Sequence, residues 1–456
     1  MPDTIAAIAT GGVLSAIGII RVSGDDAIVV ADKVFSAKNG TRLSSAENRL
    51  MYYGSLSGKD GSLIDLCLCM VSRQPDSYTG EDTVEFHCHG SPVVLSEVLD
   101  ALFSFGVRQA VAGEFTKRAF LSGRMDLTQA EAVIDLIEAE TAAAAQNAAG
   151  QLNGAVSLSL EPVYDALLDI IAHFHAVIDY PDEDIDEFEI QKYLSVLRNI
   201  ENELSRLLST FDRGRILRDG LPTVIAGRPN TGKSSLLNIL LGYDRAIVTG
   251  VAGTTRDTIE EKVQIGGLIL RLTDTAGLRK TNDDIEKLGV ERTFDAMRRA
   301  GLVILVLDGS GPPDDEDFEA LRLIPPDVPR LVVVNKSDLP HVMSARDLDA
   351  FGSDYCRFCA LTGEGMDEFE NKLHKLFPDF NESPAGQFIT NRRQAEALGL
   401  ARSALTAAID AISMSITPDA ILGEIETALD AIGDITGKTM REDILTRIFE
   451  RFCVGK

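Results

Sequence analysis

The feature that most constrains this chain is an eight-residue phosphate-binding loop, Gly227-Arg-Pro-Asn-Thr-Gly-Lys-Ser234, deep inside the sequence. An apolar run of strand character, 222–226, precedes the loop, and an apolar helix start, 235–242, follows it. In this order the strand fixes the loop and its glycines let backbone N–H groups converge on phosphate oxygens. The lysine then reaches the phosphates, and the serine hydroxyl can bind Mg²⁺. The sequence therefore predicts an α/β domain that binds a nucleoside triphosphate.

Three short motifs follow in the order that a GTPase requires: Asp274-Thr-Ala-Gly277, Asn335-Lys-Ser-Asp338 and Cys359-Ala-Leu361, each after a short apolar run. The aspartate at the first strand end can hold Mg²⁺ through water, and the glycine there lets a backbone N–H meet the γ-phosphate. The Asp338 carboxylate can accept hydrogen bonds from N1–H and the 2-amino group of guanine, donors that adenine lacks. Each motif alone is weak, but the shared order indicates GTP rather than ATP.

The segment 249–257, rich in threonine and small residues, is typical of a switch loop that orders around Mg²⁺ and the γ-phosphate. Within it Thr255 is favoured as the metal ligand. Many GTPases orient the attacking water with a glutamine directly after the Asp-x-x-Gly motif, but here that position is Leu278. A nearby carboxylate can act instead, although a solvated charged segment explains these residues equally well: Asp283, Asp284 and Glu286.

The predicted GTP site is completed by the flanking loop residues. It comprises Asn230, Thr231, Gly232, Lys233, Ser234, Ser235, Thr249, Gly250, Val251, Ala252, Gly253, Thr254, Thr255, Asp274, Thr275, Ala276, Gly277, Asn335, Lys336, Asp338, Cys359, Ala360 and Leu361.

The bulk composition limits the function classes. With 44 basic and 70 acidic side chains the net charge is −26, which disfavours tight direct binding of nucleic acid and suits a basic partner. Six cysteines in 456 residues form no disulfide framework and suit a reducing cytosol. We find neither a signal peptide nor an apolar run long enough to span a membrane.

Two cysteine and histidine patterns invite a metal interpretation. His87-Cys88-His89 lies on a strand-like run that places both imidazoles on one face, and Cys356-x-x-Cys359 has zinc-like spacing without a second pair. Ordinary structural roles are favoured for both. The thiol of Cys453, three residues before the last residue of the chain, is suggestive of function, but a tail is usually frayed.

Four regions follow from the pattern along the chain: a small α+β domain at 1–118, a helical part at 119–218, the P-loop domain at 219–378 and a second helical part at 379–456. In the first we predict strands at 5–9, 16–22, 63–71 and 83–87 and one helix at 93–105. A capping box at Thr128–Glu131 predicts the start of one alanine-rich helix that runs through Ala149. Because helices flank the P-loop domain, it is predicted to be inserted into one helical domain by closely spaced ends.

These pieces together resemble one family, the tRNA uridine-modification GTPases called MnmE, also known as thiophene and furan oxidation proteins. The resemblance runs end to end. It is carried most specifically by Gly18-Ile-Ile-Arg-Val-Ser-Gly24, Ser77-Tyr-Thr-Gly-Glu-Asp-Thr-Val-Glu85, Gly113-Glu-Phe-Thr-Lys-Arg-Ala-Phe120, Asp126-Leu-Thr-Gln-Ala-Glu131 and the terminal Cys-x-Gly-Lys456.

The resemblance implies a multidomain α/β and α protein whose N-terminal domain binds 5-formyl- or 5,10-methylene-tetrahydrofolate and forms the homodimer contact. The matching folate positions are Arg21, Glu85, Arg124 and Lys456. It further implies Mg²⁺ on Ser234 and Thr255, and potassium beside the phosphates. The potassium positions are Asn230, Thr249, Val251 and Thr254. For Asn230, a plain turn-forming role after a proline is the alternative.

The resemblance also assigns catalysis and partners. It places the water-orienting carboxylate at Glu286 and a candidate catalytic thiol at Cys453. The implied reaction adds an aminomethyl-type group, such as carboxymethylaminomethyl, to C5 of wobble uridine 34 in certain tRNAs. It is performed in the cytoplasm in a heterotetramer with an FAD- and NADH-using partner that makes most of the tRNA contact. Two alternatives from other classes are a regulatory or ribosome-assembly GTPase without modification chemistry, and a folate-binding scaffold.

Overall fold

A computed structural model describes residues 3–11, 14–179, 187–243, 261–274, 296–352, 355–378, 386–439, 442–450 and 452–455. The chain divides into two compact units. The first unit comprises Met1–Ile134, Ser157–Arg198 and Leu400–Lys456, and the second comprises Asp135–Val156 and Asn199–Gly399. Among the residues in those described ranges, no helix combines the length and the apolar character needed to cross a membrane.

As far as residue 121, the described part of the chain contains a seven-stranded sheet, three α-helices and a short 3₁₀ helix at Leu43–Ser45. In chain order the elements are β1 (Ile5–Ile8), β2 (Ile17–Ser23), α1 (Ala27–Val34), β3 (Phe35–Ala37), β4 (Met51–Ser57), β5 (Leu63–Ser72), β6 (Thr83–His89), α2 (Pro92–Phe103), β7 (Arg108–Gln109) and α3 (Glu114–Leu121). The strand order is β3-β4-β5-β6-β2-β1-β7, and the neighbours from β3 to β1 pair antiparallel. The four predicted strands are present, and the predicted helix is α2. The prediction that this is the one helix among the strands was wrong, because α1 is a second, and β3, β4 and β7 were not predicted.

The two faces of this sheet differ. Alternate residues of the strands, among them Cys67, Cys69 and Phe86, are buried with α1 and α2 in one apolar core. On the opposite face α3 packs on β1 through the cluster of Ile5, Ala7, Ala110 and Phe115. Beyond that cover Tyr53, Leu66 and Leu68 are exposed on β4 and β5. The sheet therefore presents an open, partly apolar face, which we call the outer face.

The next elements are helical: α4 (Leu127–Glu138), α5 (Ala142–Leu152), α6 (Ala155–Asp179), α7 (Glu187–Ser209) and α8 (Phe211–Asp219). The prediction of one helix through Ala149 was wrong, because the Thr141 hydroxyl accepts the N–H of Ala144 at 3.1 Å and starts α5 as a separate helix. The predicted capping box is displaced as well. Asp126 Oδ1 accepts the N–H of Gln129, and Gln129 Oε1 accepts the N–H of Asp126, each at 3.0 Å.

The nucleotide domain in the second unit is doubly wound. Its elements are β8 (Leu221–Ala226), α9 (Lys233–Tyr243), β9 (Glu261–Ile265), β10 (Leu268–Asp274), β11 (Leu302–Asp308), α10 (Asp315–Arg322), β12 (Arg330–Asn335), α11 (Ala345–Asp349), β13 (Tyr355–Arg357) and α12 (Met366–Leu376). The strand order is β13-β12-β11-β8-β10-β9, parallel except for β9. Apolar cores cover both faces of the sheet, as parallel sheets require. The strands before the predicted motifs are confirmed.

Three further helices complete the described chain: α13 (Arg392–Ser413), α14 (Pro418–Thr436) and α15 (Glu442–Phe449). The segment that leaves the nucleotide domain lies against the segment that enters it, because Gly214 of α8 packs directly on the Ile389 carbonyl and Thr210 Oγ1 accepts the Ile389 N–H at 3.0 Å. Asn147 of α5 hydrogen-bonds both the N–H and the carbonyl of Phe388, at 3.2 and 3.3 Å. Buried polar contacts thus join the two connections; the domain boundaries themselves stay predictions.

Candidate functional site: a phosphate loop and a strand-assembled cation pocket

The phosphate loop connects β8, in the middle of the sheet, to the N-terminus of α9. Three of its residues adopt positive φ: Gly227 at +141°, Asn230 at +65° and Gly232 at +96°. This left-handed conformation is uncommon outside glycine, asparagine is among the residues that tolerate it best, and the turn of the loop holds it here. The Lys233 ammonium donates to the carbonyls of Gly227 and Arg228, at 2.9 and 2.7 Å, so the loop curls around the cation.

A single buried side chain, Asn335 at the end of β12, ties the loop to the base-binding segments. Its Nδ2 donates to the Thr231 carbonyl at 2.7 Å, and its Oδ1 accepts the Ala360 N–H at 2.9 Å. A Cβ at Gly232 would overlap Asn335 Nδ2, so only glycine allows this approach. Asn335 therefore fixes the distance between the phosphate end and the base end of the site.

The base end carries Asp338, whose Oδ1 accepts a hydrogen bond from the Cys359 thiol at 3.4 Å. Beside it, Lys336 Nζ lies 2.6 Å from Asp308 Oδ2, at the end of β11. Burial raises the pKa of Asp308, but hydrogen bonds from Lys336 and Ser310 lower that pKa more, so the pKa of this carboxyl lies below its ordinary value. The fixed negative charge holds the Lys336 ammonium in place over the rim.

A cavity of about 580 Å³ connects the two ends, a volume that suits one small ligand. Its lining contains ten of the predicted residues together with Gly227, Pro229 and Leu339: Asn230, Gly232, Lys233, Ser234, Ser235, Asn335, Lys336, Asp338, Ala360 and Leu361. Sequence reasoning missed Asp308, Pro229 and Leu339. The only sequence signal for Asp308 was its place after a fully apolar strand run.

Several predicted residues lie outside the described part of the chain: Thr249, Gly250, Val251, Ala252, Gly253, Thr254, Thr255, Thr275, Ala276, Gly277, Glu286 and Lys456. The backbone of Asp274 ends β10, whereas its side chain is outside the description. Their roles stay predictions.

A second polar cluster lies on the outer face of the N-terminal sheet. We call it the cation pocket because it surrounds the positively charged guanidinium of Arg21. Arg21 and Glu85 are register partners on β2 and β6, and Arg21 Nε lies 2.7 Å from Glu85 Oε1. The Arg21 guanidinium also packs 4.6 Å from the Tyr78 ring centroid and 5.6 Å from that of Phe115. Both charged side chains are mostly buried, at 15% and 18% exposure. Tyr78 and Phe115 were not predicted as site residues.

Of the other N-terminal residues that the sequence singled out, His87 lies beside Glu85. Arg124 is exposed, and its Cγ would lie 3.2 Å from a Cβ at Gly80, in the loop that carries Tyr78. His87 Nε2 lies 3.8 Å from Glu85 Oε2, while His89 Nδ1 is 2.8 Å from Asp65 Oδ1. Within the described ranges no group of three or more His, Cys, Asp or Glu is arranged to hold a metal ion.

The C-terminal tail is ordered against the N-terminal sheet. The Cys453 carbonyl accepts the N–H of Gly113 at 3.3 Å, Val454 forms an antiparallel bridge with Ala112, and Gly455 packs on the Ile8 carbonyl at the end of β1. The Cys453 thiol is exposed. The other five cysteines are buried, and burial raises the pKa of the Cys356 thiol to about 12.

The strand–loop–helix geometry, the Asn335 bridge and the Asp338 rim define a P-loop nucleotide-binding domain of the GTPase type. Comparison with known proteins adds the family. The model of the "GTP-binding protein TrmE N-terminus" matches residues 4–124, and that of the "MnmE helical domain" matches residues 127–453. The chain therefore belongs to the MnmE family of tRNA modification GTPases, which confirms the resemblance and the fold class.

Full-length relatives agree. The chain is similar to the tRNA modification GTPase MnmE of Clostridioides difficile (strain 630), with 40% identity over 457 residues that cover 100% of this chain and 99% of the relative. It is 42% identical over 470 residues to the protein of that name from Alkaliphilus metalliredigens (strain QYMF), with 100% of both chains covered. Among solved structures, the G domain of the T. maritima FeoB iron transporter matches at 24% identity with a TM-score of 0.27, covering 34% of this chain and 97% of that chain.

Proposed function

We propose that this chain binds and hydrolyses GTP and acts in tRNA modification. The observation that carries the nucleotide part is the Asn335 bridge, which joins the Lys233 loop to the segment that holds Asp338 and Cys359. A carboxylate at the rim favours guanine over adenine, because adenine leaves it without donors.

The direct test is phosphate release from GTP and ATP by the purified chain. We expect turnover of GTP only, and Asp338→Asn should weaken GTP binding at least about tenfold, since an amide cannot accept both guanine donors. Equal turnover of ATP and GTP by the native protein would contradict the proposal.

We propose that Ser234 and Thr255 hold Mg²⁺, and that Asn230 with Thr249, Val251 and Thr254 holds potassium. In support, the described members of the two sets, Ser234 and Asn230, are both exposed and line the same cavity as Lys233. Bound there, the monovalent cation would offset the charge that develops on the phosphates. We expect potassium but not sodium to accelerate turnover; equal rates in both salts would contradict this role of Asn230.

We propose Glu286 as the residue that orients the attacking water, since Leu278 cannot do so. Glu286→Ala should bind GTP with native affinity and hydrolyse it at least about a hundredfold more slowly. The matched control is Asp284→Ala, for which we expect native turnover. Unchanged turnover in Glu286→Ala would remove this residue from the mechanism.

We propose that the cation pocket binds a reduced folate that carries a formyl or methylene group, with Arg21, Glu85, Arg124 and Lys456 as its contacts. A folate carries glutamate carboxylates that suit cations and an amide-like pterin edge that suits a carboxylate. The closeness of the ordered tail to β1 supports the inclusion of Lys456. Equilibrium dialysis with 5-formyl-tetrahydrofolate tests the site, and no binding by the native chain would contradict it.

We propose a homodimer formed through the outer face. Its support is the exposed apolar row on β4 and β5, which includes Tyr53, Leu66 and Leu68, next to the cation pocket. Sedimentation should show a dimer for the native chain and a monomer for Leu68→Asp. The control Leu158→Asp changes a leucine on α6 that is more exposed, at 65% against 40% for Leu68, and should stay dimeric.

We propose that the carbon unit is added to C5 of wobble uridine 34 in the cytoplasm, in a heterotetramer with an FAD- and NADH-using partner. The net charge of −26 supports leaving most tRNA contact to that partner. The exposed thiol of Cys453 is the proposed catalytic nucleophile. Nucleoside analysis of tRNA from cells that lack this chain is the test; unaltered wobble uridines would favour a regulatory GTPase instead.

A further inference from the structure

Arg228, the second residue of the phosphate loop, turns its side chain away from the nucleotide cavity. Its neighbours Gly227 and Pro229 line the cavity. The guanidinium instead lies against the N-terminus of α10, where Nη1 is 3.1 Å from Asp314 Oδ2 and Nε is 3.1 Å from Asp317 Oδ1. The side chain is about three-quarters buried, at 24% exposure.

The backbone of the same residue faces the opposite way. The Arg228 carbonyl accepts hydrogen bonds from Lys233 Nζ at 2.7 Å and from Thr231 Oγ1 at 3.1 Å. Arg228 is therefore held at both ends, with its carbonyl inside the loop and its guanidinium outside. Two residues later Asn230 adopts a φ of +65°, a conformation that persists in a non-glycine residue only where the surroundings impose it.

The start of α10 is a rigid anchor for this side chain. Asp314 and Asp317 form a capping box, and Phe318 in the next position stacks on the buried Phe351 ring at 4.8 Å. Asp317 is fully buried. Burial raises the pKa of Asp317, and the Asp314 N–H and the Arg228 charge oppose that shift only in part, so Asp317 is a carboxylate that is costly to bury without Arg228.

We propose that Arg228 is a positioning residue for GTP binding and hydrolysis, which fixes the first half of the phosphate loop by anchoring it to the Asp314–Asp317 cap. The proposal rests on the proposed GTPase function and adds a residue that does not touch the nucleotide. Through its carbonyl it would set the position of Lys233, and through Pro229 it would set the turn at Asn230.

Arg228→Ala has a second effect besides releasing the phosphate loop: it leaves Asp317 buried without its counter-charge, which by itself destabilises the domain. The double variant Arg228→Ala/Asp317→Asn removes both charges and separates the two effects. A third variant, Arg228→Lys, keeps the charge and loses the fork that reaches both carboxylates. Arg322→Ala, an exposed arginine in the last turn of α10, is the control.

The measurements are the thermal unfolding midpoint, the Kd of GDP by fluorescence titration, and kcat and KM for GTP. We expect Arg228→Ala to lower the midpoint and weaken GDP binding about tenfold. The double variant should regain the midpoint, yet keep GDP binding and kcat at least about fivefold impaired. Arg228→Lys should retain the midpoint with an intermediate Kd, and Arg322→Ala should match the native protein.

Native Kd and kcat in the double variant would overturn the proposal and leave Arg228 a structural partner of Asp317. Should the double variant not fold, native nucleotide affinity in Arg228→Lys, together with native kcat, would overturn it instead. A native protein that neither binds nor hydrolyses GTP would overturn the proposed function itself, a result that is distinct from either of these.

Discussion

The phosphate loop and the cation pocket are built by opposite means. The loop is one contiguous segment, and its ligand-facing groups are backbone N–H groups shaped by Gly227, Asn230 and Gly232. The cation pocket is made of side chains from separate strands, with Arg21 and Glu85 64 residues apart in sequence and 2.7 Å apart in space. The first depends on local conformation, whereas the second depends on strand register.

This difference changes how each site tolerates substitution. A backbone site fails when one added carbon blocks a close approach, even though no functional group is lost. When one side chain of a side-chain site is substituted, the site loses the binding contribution of that group, but the strands that carry the other groups keep their positions. The four predictions below test that contrast, beginning with the largest effect.

Gly232→Ala should reduce GTP affinity by about a hundredfold or more, because the new Cβ would overlap Asn335 Nδ2 and the φ of +96° is strained for alanine. Nucleotide titration measures the effect. The control Gly242→Ala, in α9 with nothing near the added carbon, should bind normally. Native affinity in Gly232→Ala would mean that the loop is not shaped by its backbone.

Arg21→Ala should weaken binding of 5-formyl-tetrahydrofolate by about ten- to thirtyfold, because a charge-assisted contact is lost and Glu85 loses its ion-pair partner. GTP affinity should not change. Equilibrium dialysis with each ligand checks both points, with Arg402→Ala, an exposed arginine on α13, as the control. An equal loss of GTP affinity in Arg21→Ala would contradict the independence of the two sites.

Cys359→Ser should strengthen GTP binding about two- to threefold, because a hydroxyl donates a better hydrogen bond to Asp338 than a thiol does. Cys359→Ala should weaken it by a similar factor. Titration with GTP measures both variants. Equal GTP affinities of Cys359→Ser and Cys359→Ala would mean that the Cys359 side chain does not position Asp338. The base end would then depend on backbone conformation, as the phosphate loop does.

The smallest effect concerns pH. A hydrogen bond from Arg108 lowers the pKa of Asp3 from its ordinary 3.8 to about 2, with smaller help from Arg118. Because the folded pKa is depressed, this contribution to stability is present above pH 3.8 and disappears as the pH falls through about 2. Asp3 is 56% exposed, so solvent screening limits the contribution to a few tenths of a kcal/mol at about neutral pH.

Asp3→Asn should therefore unfold slightly more easily than the native chain at pH 5 and equally easily near pH 2. Denaturant titrations at the two pH values measure this difference. If the difference in the free energy of unfolding between the native chain and Asp3→Asn grew as the pH fell, its pH dependence would have the opposite sign. That result would contradict the ion pair between Asp3 and Arg108.

How much could be predicted from the sequence also differs between the contiguous phosphate loop and the cation pocket, whose residues come from separate strands. The strand and helix that flank the phosphate loop were predicted from local pattern and are present. Asn335, Lys336 and Asp338 line one cavity with the loop, and their roles as GTP contacts stay predictions. The Arg21–Glu85 pair came from family resemblance alone, because no local pattern reports the register of β2 against β6. The helix α1 was missed although its residues are largely apolar, and β4 was missed because it has no strict alternation of apolar and polar residues: Met51 and Tyr53 are exposed, whereas Gly54 is buried.

The sequence by itself determined the phosphate loop, because a loop whose ligand groups are backbone atoms is encoded by consecutive glycine, lysine and serine positions. It also indicated the family, through short motifs outside that loop. Only the tertiary structure decided that Asn335 bridges Thr231 and Ala360, that Tyr78 and Phe115 enclose Arg21, and that the Arg228 guanidinium contacts the cap of α10. Those contacts join residues far apart in the chain, and their partners are chosen by strand order and packing, which no short stretch of sequence contains.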